Sequence, residues 1–188
     1  MNQLTKKGKI IEFAVALILI LIGVVLRLVP HAPNFTPIAA IALFGGVYFS
    51  RKTALFLPIA AMLVSDIFIG FYDFKIMTAV YASFLFSVLL GFWIKKHKKW
   101  QTIAGGALLS ALLFFLITNF AVWAFSPLYA KTFFGLIQSY VMALPFFKNS
   151  LLGDIFYVSV FFGAYEMAGA YIKKRFRVKS KSVAPALQ

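Results

Sequence analysis

Long runs of apolar residues, separated by short clusters of lysine and arginine, constrain this chain more than any other feature of its sequence. A helix needs about 17–25 mostly apolar residues to cross a bilayer, and six runs meet or approach that length. They cover residues 10–29, 35–50, 53–72, 76–94, 103–125 and 151–172. The runs are apolar on nearly every side, whereas a helix of a soluble protein keeps one polar face. The pattern predicts an all-α polytopic membrane protein, with six transmembrane helices in one domain over residues 1–178.

Composition supports the same class of protein. Hydrophobic residues make up 62 % of the chain, charged residues 13 %, and the mean hydropathy is +0.91. Soluble domains are roughly half apolar and about a quarter charged. The net charge of +14 resembles that of a nucleic-acid-binding protein, but its basic clusters are broken up by the apolar runs. We therefore expect the lipid bilayer, and no nucleic acid, as a partner.

The distribution of basic residues predicts that both termini lie in the cytoplasm. With six spans, 15 of the 19 Lys and Arg residues fall on the inner side, as the positive-inside rule requires. A seventh span over residues 132–147 would leave 9 inside and 10 outside. Residues 132–147 are therefore predicted to stay on the outer side as a re-entrant or surface segment, and residues 179–188 to form a disordered cytoplasmic tail. The N-terminus also resembles a signal peptide, but no small-x-small cleavage site follows, which favours a retained first helix.

Polar side chains within the apolar runs lie mainly near the predicted outer face. Helix rise places them within about 9 Å of the outer helix ends. A polar side chain inside a membrane is energetically costly, so each one indicates a structural or a functional role. These side chains are Asp66, Tyr81, Asn119, Trp123, Asp154 and Tyr157, and the outer loops add Asn34, Lys148 and Asn149. A polar, aromatic layer on one side predicts a pocket open to the outside. A small organic solute could stack on its aromatic rings and form hydrogen bonds with Asn34 and Asn119.

A structural interpretation of the same residues remains open. Asp66 or Asp154 could pair with Arg27 or Lys148, and Asn119 could bridge two helices. Tyr and Trp residues also occur at membrane interfaces without any binding role. Small residues at four-residue spacing, such as Ala42 with Gly46, predict close helix packing.

No motif for catalysis or for a cofactor is present. The sequence has no Walker A loop, no HExxH and no GxSxG. With zero Cys and two His, it cannot build a thiolate or His-rich metal site. We therefore expect no enzyme activity, no catalytic residues, no cofactor and no metal, and any energy for transport must come from a partner or an ion gradient.

Several motifs resemble a family of small uncharacterised bacterial membrane proteins. Residues 33–46 read PNFTPIAAIALFGG, and Thr118-Asn119-Phe120 is followed by Trp123. Residues 65–66 read SD, and residues 144–154 read LPFFKNSLLGD. The resemblance covers roughly residues 28–165. That family is similar to the S components, the substrate-binding subunits of energy-coupling factor (ECF) vitamin transporters.

The resemblance implies an S-component-like six-helix bundle in the bacterial cytoplasmic (inner) membrane, with a ligand pocket near the outer face. It also implies partners, namely a transmembrane coupling protein and ATPases. Residues 11–18 lack the small-xxx-small motif with which S components commonly dock the coupling protein. We expect a substrate-binding subunit or small transporter for a vitamin-like or other small organic solute. The alternative is a structural or assembly protein of the membrane, or an integral membrane enzyme.

Overall fold

The computed structural model describes the backbone of residues 6–182, with side chains described for residues 10, 13–168 and 170. Throughout that part of the chain the regular structure is helical, which confirms the predicted all-α class. The helices are α1 (Lys6–Leu28), α2 (Ile38–Tyr48), α3 (Arg51–Ile69), α4 (Phe74–Lys96), α5 (Trp100–Phe125) and α6 (Phe133–Ser182).

Four of these helices are long and apolar enough to cross a membrane. They are α3, α4, α5 and the part of α6 over Phe133–Ala168. Their outer surfaces expose large apolar side chains, with Phe74 and Phe133 exposed by 73 % and 77 %. Soluble monomers rarely expose contiguous apolar surface on this scale, and large exposed apolar patches mark contact with a membrane or another protein. The length and surface of these helices are those of a membrane protein.

The second predicted span forms a helix shorter than its apolar run. Residues 35–50 were the expected span, but α2 covers only Ile38–Tyr48, 11 residues. Its length is about 16 Å, roughly half of the ~30 Å hydrocarbon core. Pro37 precedes the helix, and the extended backbone of Phe49 ends it.

Helix α2 forms the centre of the bundle. Ten consecutive residues from Ile38 to Val47 are buried, and the helix contacts all five of the others. A helix that is apolar on all sides is expected in such a position, because no face of it meets water. The remaining helices therefore pack around α2 and turn their outer faces away from it.

The contact between α2 and α4 brings two backbones together at a pair of glycines. A Cβ atom on Gly46 would lie 2.4 Å from the Val88 carbonyl oxygen and 2.8 Å from the Gly91 Cα. A Cβ atom on Gly91 would lie 2.5 Å from the Leu43 carbonyl oxygen. Small residues permit this approach, as expected for helix packing in membranes. The Ala42/Gly46 pattern thus marks a packing site, whose partner is Gly91.

We expect Gly46→Ala and Gly91→Ala each to destabilise the bundle by about 1–3 kcal/mol or more, because a methyl group must push two backbones apart. Thermal or denaturant unfolding of the purified chain in detergent measures the loss. Gly105→Ala is the matched control, since a Cβ atom there meets nothing within 4 Å. Equal stability of the Gly46→Ala variant and this control would contradict the packing argument.

Helix α6 is one continuous helix of 50 residues. The predicted re-entrant or surface segment at 132–147 is therefore not separate from the last predicted span, because residues from Phe133 onward form the first turns of α6. Pro145 lies inside the helix without ending it, since membrane helices can satisfy the freed carbonyl in other ways. The helix continues through Ser182, four residues into the predicted disordered tail, and residues 183–188 lie outside the described residues.

Side-chain contacts join α2, α6 and the α4–α5 loop at one end of the bundle, which we call the basic end. The Tyr48 hydroxyl donates to Glu166 Oε1 at 2.6 Å, and Lys98 forms an ion pair with the same carboxylate. The ammonium of Lys98 also lies 4.7 Å from the centre of the Tyr48 ring. Lys95 Nζ donates to the Phe49 carbonyl at 3.3 Å. These contacts hold the C-terminal end of α2 against the neighbouring helices.

Candidate functional site

The first polar cluster joins α1, α3 and α4 near the end opposite to the basic end. Arg27 Nη1 donates to Asp66 Oδ1 at 2.6 Å, and the Tyr81 hydroxyl donates to Asp66 Oδ2 at 2.5 Å. Arg27 also donates to the Ser65 hydroxyl, which donates in turn to the Ala61 carbonyl at 2.8 Å. Asp66 is fully buried. Both of its oxygens are thus occupied, and of the two interpretations left open by the sequence, the structure shows the pair with Arg27.

The α3–α4 loop places another tyrosine near this cluster. Burial is the main cause that raises the pKa of Tyr72 to about 12; the Asp66 carboxylate raises it further, and Arg27 opposes the shift. Tyr72 is therefore a neutral phenol at physiological pH. The cluster carries one positive and one negative side chain, and its net charge is close to zero.

Asp66→Asn should lower the free energy of unfolding by about 3 kcal/mol, because breaking a buried ion pair leaves the Arg27 charge without a partner. Denaturant unfolding in detergent micelles measures this change. Asp73→Asn is the control, since Asp73 is an exposed N-cap of α4 and Asn caps a helix equally well. An unchanged unfolding midpoint for Asp66→Asn would show that the pair is not a structural element.

A cavity of about 200 Å³ lies between α4, α5, α6 and the α1–α2 loop. Four phenylalanine rings line it, namely Phe114, Phe115, Phe146 and Phe147, together with the aliphatic residues Ile76, Val80, Val122 and Ala143. Four polar side chains also line it: Asn34, Thr118, Asn119 and Ser150. Ligand pockets commonly combine a mostly apolar wall with a few polar groups. The volume fits a small solute.

The polar groups of the cavity mainly present oxygen acceptors. Asn119 uses its amide NH₂ on the Phe115 carbonyl at 2.7 Å, and Thr118 and Ser150 donate to backbone carbonyls of their own helices. Asn119 Oδ1 accepts no hydrogen bond from the described residues. Asn34 has a φ of 63°, which Asn tolerates better than most residues, and its loop completes the wall. No Lys, Arg or His lines the cavity.

Asp154 is buried on α6, one turn beyond the cavity-lining Ser150. Its side chain is 5 % exposed. Within the described part of the chain, no donor or cation contacts its carboxyl group. The predicted alternative of a pair with Lys148 is not formed, since Lys148 is exposed and Asp154 is buried. The two buried aspartates therefore differ, because Asp66 is satisfied and Asp154 is not.

Other residues predicted for the site hold the α1–α2 and α5–α6 loops, at the end of the bundle opposite to the basic end. The indole N–H of Trp123 donates to the Ala130 carbonyl at 3.0 Å, and the ring contacts Phe120. Asn149 Nδ2 donates to the Pro33 carbonyl at 3.1 Å, which ties the α1–α2 loop to α6. Tyr157 packs against the Phe35 ring of the same loop, at 5.5 Å between centroids. The cavity lining includes Asn34 and Asn119 but not Trp123, Tyr157 or Lys148.

Sequence reasoning missed Thr118, Ser150 and the phenylalanines of the cavity. Ser150 precedes Asp154 by one turn, so a search for further polar residues at helical spacing would have found it, whereas Thr118 is adjacent to Asn119 and gives no such signal. The phenylalanines carry no such signal, because 23 of them are spread over the chain. Among the described residues, no group of three or more His, Asp or Glu could hold a metal ion.

Comparison with protein families gives one match. A family of unknown function, DUF6580, matches residues 7–179. The chain belongs to this family. No curated protein and no solved structure matches it. Membership in DUF6580 covers the helical bundle and the cavity, and its description assigns no activity to them.

Proposed function

We propose that this DUF6580 protein is an integral membrane substrate-binding subunit or small transporter, which captures a vitamin-like or other small organic solute from the outer face. The cavity carries this proposal. Side chains from α4, α5, α6 and the Asn34 loop converge on it, and it combines aromatic walls with hydrogen-bonding groups whose acceptors are available. Energy would be supplied by a partner, in the way that ECF coupling proteins and ATPases supply it to S components.

The proposed arrangement has six spans with both termini in the cytoplasm of a bacterial cell. Basic residues gather at the basic end, where Arg51 lies over the Phe92 ring and Lys95 reaches Phe49. This is the end that the positive-inside rule places in the cytoplasm. The cavity then opens on the outer side, because Asn34 belongs to the loop at the opposite end of α2.

Reporter fusions test this topology. A reporter fused after Trp100 should be active only in the cytoplasm, and one fused near Lys131 only outside, because charge clusters set orientation when loops are short. A fusion at the C-terminus should also report cytoplasm. Activity of that last fusion on the outer side would contradict six spans and support seven.

Blocking the cavity tests solute binding. The purified chain is screened by thermal shift in detergent against a panel of water-soluble vitamins and related solutes. We expect a binding solute to raise the unfolding midpoint of the wild type, since a ligand that binds only the folded state stabilises it. Ala143→Phe should abolish this shift, because Ala143 is buried in the cavity wall and a phenyl ring there fills the space.

Val141→Phe is the matched control for the blocking variant. Val141 lies two residues away on the same helix and is 54 % exposed on its outer surface, so the shift should persist. A shift that survives in Ala143→Phe would show that the solute binds elsewhere. No shift with any solute would favour the second candidate function.

That second candidate is a structural or assembly role in the membrane. Several polar side chains near the opposite end are paired within the protein, as Asp66 is with Arg27 and Tyr81, and Trp123 with Ala130. Groups of this kind stabilise a bundle without binding any solute. A structural role does not explain the available acceptors of the cavity or the unpaired Asp154, and these residues favour solute binding.

A further inference from the structure

The buried carboxyl of Asp154 differs from every other acidic side chain that the structure describes. Asp66 is paired with Arg27 and Tyr81, Asp73 caps α4, and Glu166 pairs with Lys98. Asp154 is 5 % exposed and contacts no donor or cation among the described residues. Burying a carboxyl group without a partner is costly, particularly in a membrane. A ligand that supplies the missing partner would recover that cost.

The position of Asp154 relates it to the cavity. Ala143, Phe147 and Ser150 line the cavity from α6, and Asp154 follows at the next step of the same spacing. Residues at intervals of three and four share one face of a helix, so Asp154 continues this stripe. It lies one turn, about 6 Å along the helix axis, beyond Ser150. Asp154 is not itself a lining residue, and its place on this stripe puts it next to the lining residue Ser150.

The lining of the cavity favours one kind of charge. An aromatic ring attracts a cation placed over its face, and four phenylalanine rings line the cavity, while its amide and hydroxyl groups offer acceptors. No cationic side chain lines it that could pair with an anion. An ammonium or amidinium group would find acceptors and rings in the cavity and a carboxyl group beyond it, whereas an anionic group would find no cationic side chain there to pair with.

We infer that Asp154 is the counter-charge for a cationic group of the solute, and that this site takes a small organic cation with a flat apolar body. The body lies among the phenylalanine rings, and the positive group points along α6 from Ser150 toward Asp154. This inference rests on the proposed function, because it names the chemical class of the solute that the cavity binds.

Three probes of similar size and different charge test the inference, namely benzylammonium, benzyl alcohol and benzoate. Their binding to the full chain in detergent is measured by calorimetry, and only binding that is absent from Ala143→Phe is counted. The wild type should bind benzylammonium about tenfold more tightly than benzyl alcohol, as expected for one charge-assisted hydrogen bond, and benzoate most weakly.

Asp154→Asn should remove the preference for benzylammonium and leave the affinity for benzyl alcohol unchanged. Asp73→Asn, which removes an exposed carboxylate outside the cavity, should keep the preference. The thermal unfolding midpoint of Asp154→Asn should equal or exceed that of the wild type, since the substitution replaces a buried carboxyl group that no side chain pairs with by a neutral amide of similar size. A markedly lower midpoint would overturn the inference by assigning Asp154 a structural partner.

The outcomes separate this inference from the proposed function. Binding of benzyl alcohol in the cavity, with no preference for the cation or with a preference that survives Asp154→Asn, overturns the inference and leaves solute binding intact. Failure of all three probes, while a solute of the thermal-shift panel still binds in the cavity, also overturns the inference alone. Failure of the probes and of the whole panel overturns both.

Discussion

The backbone contact between Gly46 and Gly91 determines how the rest of the bundle can be arranged. Since neither residue has a side chain, α2 approaches α4 closely enough to be enclosed on all sides. A central helix of about 16 Å cannot reach both surfaces of a bilayer, so the chain on either side of it must extend toward the interior. On the side of the prolines, this brings Asn34 to the cavity wall and Phe35 onto Gly153. The short helix and the cavity are therefore parts of one arrangement.

Polar contacts hold the bundle at two places, and the residues that make them do not line the cavity. Asp66 joins α1, α3 and α4, while Glu166 joins α2, α6 and the α4–α5 loop. Beside the cavity, α5 and α6 contact each other through aromatic rings, such as Phe115 with Phe147 at 4.7 Å. Rings packed in this way can shift by small rotations, whereas an ion pair must be broken. The cavity thus lies where the helices are joined by the weaker kind of contact.

Hydropathy alone predicts the helices α3, α4 and α5, because a helix in lipid must be apolar along its whole length. It fails for α2, whose ends depend on Pro37 and on the backbone of Phe49, and for α6, where Pro145 and Lys148 resemble a break. Depth along a helix placed Asn119 near the cavity. It could not show that the Trp123 indole donates a hydrogen bond to the Ala130 carbonyl, since that depends on the path of the α5–α6 loop.

The sequence predicts least well which side chain pairs with a buried aspartate. Here the presence or absence of such a partner distinguishes Asp66 from Asp154. Asp66 and Arg27 are 39 positions apart, and sequence spacing could not distinguish that pair from a ligand site. An aspartate inserted in lipid costs about 2.5–3.5 kcal/mol on insertion scales, so the chain bears this cost twice. Arg27 and Tyr81 offset the cost at Asp66, and their hydrogen bonds with it connect α1, α3 and α4. At Asp154 the described chain offers no such offset, and the adjoining cavity is where a bound solute can provide it.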